Sequence, residues 1–196
     1  MTLTKINLNR LIDKEKGYLF GLFIGDGYLY HDQWRHYKVN YFLNPKTDKD
    51  IVKYTTILLK KIGLLPYIMT HHGCLIIRLN SKEFYTYLID KSQNIFLEEN
   101  EEFIVGFISG FIDSDGYVAK GDIVISNKNK KLLEITQLWC EKLSVNTKLW
   151  RQNNDINCKK FKIWRLRVGT RFKYEKHHSR KILRVYGGGK FTDCPP

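Results

Sequence analysis

The sequence predicts an α/β fold of the α+β kind, in which one αββαββα unit occurs twice as two pseudo-symmetric half-domains. Two observations carry this. Gly21 recurs as Gly110, and at the same offset of 89 residues Gly17 meets Gly106, Asp26 meets Asp115, Gly27 meets Gly116 and Tyr28 meets Tyr117. Far downstream, that offset also lays "IIRLNSK" (76–82) over "RLRVGTR" (165–171), so Arg78 meets Arg167 and Lys82 meets Arg171. Agreement over such separated segments marks a duplicated structural unit.

The elements follow the same order in each half. An apolar helix comes first, expected over 17–25 and 103–114. A strand pair follows, around 28–43 with the loop "HDQWRH", and over 117–126 turning at Gly121. Next are the amphipathic segments "DKDIVKYTTILLKKIG" and "NKKLLEITQLWCEKLS". Ile51, Tyr54, Ile57, Leu58 and Ile62 recur at helical spacing, and Gly63 ends the first. A second strand pair is expected at 66–79 and 147–168. Leu75, Ile77 and Leu79 alternate with Ile76, Arg78 and Asn80, the period of a half-buried strand. Near Ile163–Trp164 that alternation changes phase, the signature of a bulge. A closing helix is expected at 81–90 and from about 171. The organisation is therefore an arm (1–16), a first unit (17–90), a linker (91–102), a second unit (103–186) and a tail (187–196).

Composition narrows the function classes. A hydrophobic fraction of 43% in 196 residues suits a packed core and excludes a disordered chain. Apolar runs of about ten residues are half of what crosses a bilayer. The start "MTLTKINLNR" lacks a secretory signal pattern. Cys74, Cys140, Cys158 and Cys194 form no CxxC pair, so reduced thiols in an intracellular protein are expected, with the compartment left open. The net charge of +13 favours a polyanionic partner over a membrane. Between Lys159 and Lys190 twelve Lys and Arg face one acid, Glu175.

The repeated apolar segments carry the chemistry. Gly17, Gly21 and Gly25 fall four apart, as do Gly106, Gly110 and Ser114, so each set lines one helix face. Glycine inside a helix costs about 1 kcal/mol against alanine. Using it at matching places suggests two helices in backbone contact, and packing alone accounts for these residues. It does not account for Asp26 and Asp115. Both sit in a last turn, where the helix dipole disfavours a carboxylate. Side-by-side helices bring the two acids together, and like charges raise a carboxyl pKa unless a cation compensates. Hard oxygen ligands suit Mg²⁺, and paired acids with metal on a basic surface suit phosphodiester hydrolysis.

"LFGLFIGDG" (19–27) and "ISGFIDSDG" (108–116) resemble the two copies of the motif that names the LAGLIDADG homing endonucleases, in its two-motif, single-chain form. The resemblance covers roughly 17–175. It implies that the motif helices form the interface between half-domains and that antiparallel sheets form a DNA-binding saddle. It further implies that Asp26 and Asp115 are catalytic and metal-binding, with Gly25 and Ser114 in the same metal set. Mg²⁺ is the implied cofactor, Mn²⁺ a substitute, and Ca²⁺ an ion that binds without supporting cleavage. An earlier motif acid is kept as Asp113, whereas the first copy has Ile24, a departure touching helix capping or packing. Family members also carry a polar residue and a lysine after each hairpin, for which Asn44, Lys46, Asn127 and Lys128 are the candidates, although Pro45 interrupts the first pair.

The implied partner is double-stranded DNA with a long asymmetric site, read without an obligate protein partner. A strand of about eight residues spans about 25 Å, or about seven base pairs. Gln33, Arg35, Lys38 and Asn40 in the first hairpin are candidates for contact. So are Arg78, Lys82, Lys120, Arg165, Arg167 and Arg171. Phosphate contact is the default expectation for each, and Trp34, Trp150 and Trp164 read as packing. The leading function is a metal-dependent, site-specific endonuclease of intron or intein mobility. An RNA-binding intron maturase and a catalytically inert DNA-binding protein stand beside it. Cleavage that is lost when either motif acid becomes Asn separates the first from both.

Overall fold

The computed structural model describes residues 6–33, 36–98, 100–156, 159–174 and 178–186. The chain order is α1 (Asp13–Asp26), β1 (Gly27–His31), β2 (Tyr37–Leu43), α2 (Lys49–Lys61), β3 (Tyr67–His71), β4 (Cys74–Asn80) and α3 (Lys82–Gln93). The second unit repeats it with α4 (Glu101–Asp115), β5 (Gly116–Ala119), β6 (Asp122–Asn127), α5 (Lys130–Lys142), β7 (Thr147–Ile156), β8 (Lys159–Val168) and α6 (Arg180–Tyr186). Both sheets are antiparallel and four-stranded, with the equivalent orders β1-β2-β4-β3 and β5-β6-β8-β7. The duplication in sequence is thus a duplication in topology.

Local chemistry sets the boundaries. Ser81, Asn100 and Asn129 cap α3, α4 and α5 by accepting hydrogen bonds from the backbone N–H three residues on. Gly63, at φ +88°, ends α2 in the left-handed region that its missing Cβ permits. Gly121, also at φ +88°, makes the tight turn between β5 and β6. One face of each sheet enters the core: Val39, Tyr41, Ile77 and Leu79 in the first, Ile123, Ile125, Leu166 and Val168 in the second, all essentially inaccessible. The opposite faces carry Arg78 and Arg167, so strand alternation sorts core from polar surface.

Three expectations change. The first motif helix starts at Asp13, because the charged turn Asp13–Lys16 precedes its apolar period; Glu15 secures that start by accepting from Ile12 N at 3.0 Å. No bulge interrupts β7–β8, whose register runs from Thr147↔Val168 to Ile156↔Lys159. The phase change near Trp164 marks where pairing with β6 ends, at Asn127↔Trp164, leaving a two-stranded ribbon beyond. The closing helix of the second unit starts at Arg180; the stretch from Thr170 forms a 3-10 turn to Tyr174. The late start has a cause outside the segment, namely Asp113.

Candidate active site

The site is built by the contact between α1 and α4. A Cβ added to Gly17 would lie 2.0 Å from the Phe103 carbonyl oxygen, and one on Gly21 would lie 2.0 Å from that of Phe107. From the other side, Gly106 meets Lys14 O at 2.0 Å and Gly110 meets Tyr18 O at 2.1 Å. These partners are backbone atoms, which cannot rotate away, so glycine is obligatory at all four positions. Near the C-terminal ends the contact passes to side chains. A Cβ on Gly25 would meet Ser114 Oγ at 2.0 Å and Asp115 Cγ at 3.2 Å. The first copy's small residue therefore lies directly against the second copy's acid.

Asp26 and Asp115 are the last residues of the two helices. Burial, then repulsion from Asp115 and Asp48, raises the Asp26 carboxyl to about 7, against the pull of Lys181. Burial also raises Asp115, opposed first by its hydrogen bond from Asn127 and then by Lys181. Both acids thus resist ionisation in the absence of a cation. Among the described residues, no group of three or more His, Cys, Asp or Glu forms a metal cluster. The candidate donors that the two helix ends bring together are the two carboxylates, and Ser114 O, next to Asp115, accepts from Lys181 Nζ at 3.0 Å.

The surroundings of the two acids differ. Asn127 donates from Nδ2 to Asp115 Oδ2 at 2.6 Å, while its Oδ1 accepts from Asn129 N. Asn44 instead accepts the backbone N–H groups of Lys46 and Thr47, shaping the loop before α2. Lys46 and Lys128 are exposed on their loops. Asp48 accepts from Asn44 N at 2.9 Å and from Thr47 Oγ1 at 3.0 Å, which keeps that loop closed.

Sequence reasoning missed the part played by α6. The fully buried Asp113 accepts from Tyr18 OH, Ser179 Oγ, Arg180 N and Lys181 N, all between 2.7 and 2.9 Å. It anchors α6 to the end of α4. From there Arg184 reaches Asp50 of α2, and the Arg180 guanidinium lies 3.9 Å from the centre of the Tyr54 ring. The helix consequently ties the second motif helix to the first half-domain. Lys181 donates to Ser114 O at 3.0 Å and Gly116 O at 2.8 Å, the two carbonyls flanking Asp115. Only membership in the basic run could have pointed to these residues.

The polar sheet faces hold most of the remaining candidates. A groove of ≈ 810 Å³ on the second sheet is lined by Tyr117, Ser126, Lys148, Trp150, Arg165 and Arg167, among others. Trp150 stands in this groove, contrary to the packing expectation, because its strand position shares a face with Arg165 (paired Trp150↔Arg165). Trp164 does pack against the core, with Lys130 Nζ 5.0 Å from its ring centre. In the first sheet Arg78 donates from Nε to the buried Asn40 at 3.0 Å, so this pair is internally engaged. Lys38 lies 5.1 Å from the Tyr30 ring centre and Lys82 lies 5.5 Å from that of Tyr37. Gln33, Lys120 and Arg171 are exposed; Arg35 and Trp34 lie outside the described residues. Arg167 pairs with Asp122 at 2.9 Å.

A model of the LAGLIDADG-like domain matches residues 102–183, the second half of this architecture. The homing endonuclease I-DmoI of Desulfurococcus mucosus is 31% identical over 150 residues, which cover 70% of this chain and 74% of that protein. The chain belongs to the LAGLIDADG homing endonuclease family. An uncharacterised protein of Methanocaldococcus jannaschii is 31% identical over 139 residues, and there the match spans only 50% of the relative's length. A crystal structure of I-DmoI with DNA and Ca superposes with a TM-score of 0.67 at 23% identity, covering 81% of this chain and 84% of that one. The N-terminal LAGLIDADG domain of DUF199/WhiA gives 0.54 at 15% identity, covering 79% and 75%. At these identities the likeness is one of fold, and the LAGLIDADG fold is the one described above.

Proposed function

We propose that the chain is a divalent-metal-dependent endonuclease that cuts both strands of a specific DNA duplex, one near each motif acid. The observation that carries this reading is the pair of raised carboxylates, Asp26 and Asp115, delivered together by an interface of obligatory glycines. Two hard, like-charged donors with adjacent carbonyls suit Mg²⁺, and Mn²⁺ is a substitute. Solved I-DmoI structures contain target DNA with Mn, Ca or Mg, which supports a divalent ion in the family. Asp26 with the Gly25 carbonyl, and Asp115 with the Ser114 carbonyl, would each hold an ion here. A bound ion would supply an activated water and stabilise the leaving oxygen.

The chain's own residues do the rest. Asn127 fixes the orientation of Asp115 through its 2.6 Å bond. Lys148, Arg165 and Arg167 offer the groove a positive floor for backbone phosphates, and Trp150 and Tyr117 give it flat apolar contact. Asn44, Lys46 and Lys128, on loops after the hairpins, remain the candidates for acting on solvent near the scissile bond. Because both motif copies are in one chain, a monomer carries both sites; the likeness to a homing endonuclease supports mobility of an intron or intein as the biological role. Cleavage selection on a randomised duplex library, with Mg²⁺ and then Ca²⁺, tests the reading. Recovery of one long site cut in Mg²⁺ and bound uncut in Ca²⁺ is expected. Tight binding of intron RNA without any DNA cleavage would replace the reading with a maturase.

A further inference from the structure

Lys181 occupies an unusual place for a lysine of a basic tail. Its ammonium donates to Ser114 O and Gly116 O, the carbonyls on either side of Asp115 at the negative end of α4. The side chain is half-buried, and the segment that carries it is held by three contacts that do not depend on its charge. Asp113 accepts from Lys181 N at 2.9 Å, Asp113 also accepts from Ser179 Oγ, and Arg184 is fixed to Asp50.

Among the described residues, the position equivalent to Lys181 in the first half carries no charge. At the 89-residue offset the counterpart is Ser92, whose hydroxyl donates to Leu88 O within α3. The anchoring acid is missing there too, since Ile24 stands opposite Asp113. Beside Lys181 lies a cavity of ≈ 390 Å³ lined by Asn44, Asp48, Tyr117 and Arg184 among others, with room for the side chain to swing away.

We propose that Lys181 is a built-in cation that holds the Ser114 carbonyl of the second site until a divalent ion takes that oxygen and displaces the ammonium into the neighbouring cavity. Lys181 is then a positioning residue that makes the two metal sites unequal. The second must evict a resident charge, whereas the first need not. This rests on the metal-binding reading of the motif ends, though not on DNA cleavage.

The test is Mn²⁺ binding to the DNA-free full chain, followed by electron paramagnetic resonance. K181M is expected to bind one Mn²⁺ about tenfold tighter than the unmodified protein, as follows from losing one nearby unit charge. K181Q, which keeps a hydrogen-bond donor, should shift the same way, and K181R should stay within about twofold. Adding D115N to K181M should abolish the gain. The melting-temperature deficit of K181M in chelator should also shrink at saturating Mn²⁺. A merely structural lysine would give unchanged or weaker Mn²⁺ binding in K181M and K181Q. That result overturns the proposal, as does failure of all the proteins to bind Mn²⁺. A tenfold gain in a protein that cuts no DNA would uphold it while removing the nuclease reading.

Discussion

The two halves agree where the helices touch and differ where they end. Gly17 and Gly21 meet carbonyls of α4 as Gly106 and Gly110 meet carbonyls of α1, four contacts of nearly identical closeness. Beyond that contact, the second copy has Asp113 gripping α6, and Asn127 on Asp115. The first copy has Ile24, and an Asn44 bonded to its own loop. Symmetry is enforced where a steric rule leaves no choice, and relaxed where polar side chains can be exchanged one at a time.

Breaking the symmetric part has the largest expected effect. Gly21→Ala places a methyl 2.0 Å from the Phe107 carbonyl, so the helices must part. A loss of about 3 kcal/mol or more is expected by urea denaturation. Gly25→Ala meets the Ser114 side chain, Oγ at 2.0 Å and Cβ at 2.4 Å, in the last turn rather than mid-helix backbone, and should cost less. Equal losses for the two would contradict the account of the interface.

The next effect sharpens the asymmetry. Asp26 sits at about 7 in the folded protein, above the ordinary carboxyl value of about 3.9. The folded state therefore holds this proton more tightly than the unfolded chain. In metal-free protein the stability contribution is present below about pH 4 and is lost as pH rises through about 7. D26N should remove this slope, stabilising the metal-free protein at about pH 8 by up to about 4 kcal/mol. Parallel pH profiles of thermal unfolding for D26N and the parent would contradict it.

Asp113→Ala removes a buried acceptor shared by Tyr18, Ser179 and the start of α6. A cost of about 2 to 3 kcal/mol is expected, together with faster amide exchange in α6. Asn127→Ala is the mildest change, about 1 kcal/mol, and should slow cutting of one strand more than the other. Equal slowing of both strands would show that Asn127 does not belong to one site.

The sequence made the duplication, the strand pairs and the paired acids legible, because glycine spacing and alternation are local patterns tied to geometry. The 89-residue offset even foretold Arg78 and Arg167 as matching positions on the two sheets, in the registers Asn40↔Arg78 and Val124↔Arg167. What stayed hidden depends on contacts distant in sequence. The start of α6 is set by Asp113, 67 residues before Arg180. The position of Lys181 follows from that anchor, and a run of twelve basic residues does not single it out. Trp150 departs from the packing expectation because core and groove faces alternate along β7, and its phase is fixed only by pairing with Arg165.

The most direct measurement is strand-resolved cleavage of a selected duplex in Mg²⁺ by the unmodified chain, D26N and D115N. The account predicts double-strand cuts by the first, and loss of at least about a thousandfold in double-strand cutting for each variant, equivalent to about 4 kcal/mol of barrier. Cleavage by either Asn variant at the parent rate, or none by the parent on any recovered site, would contradict it.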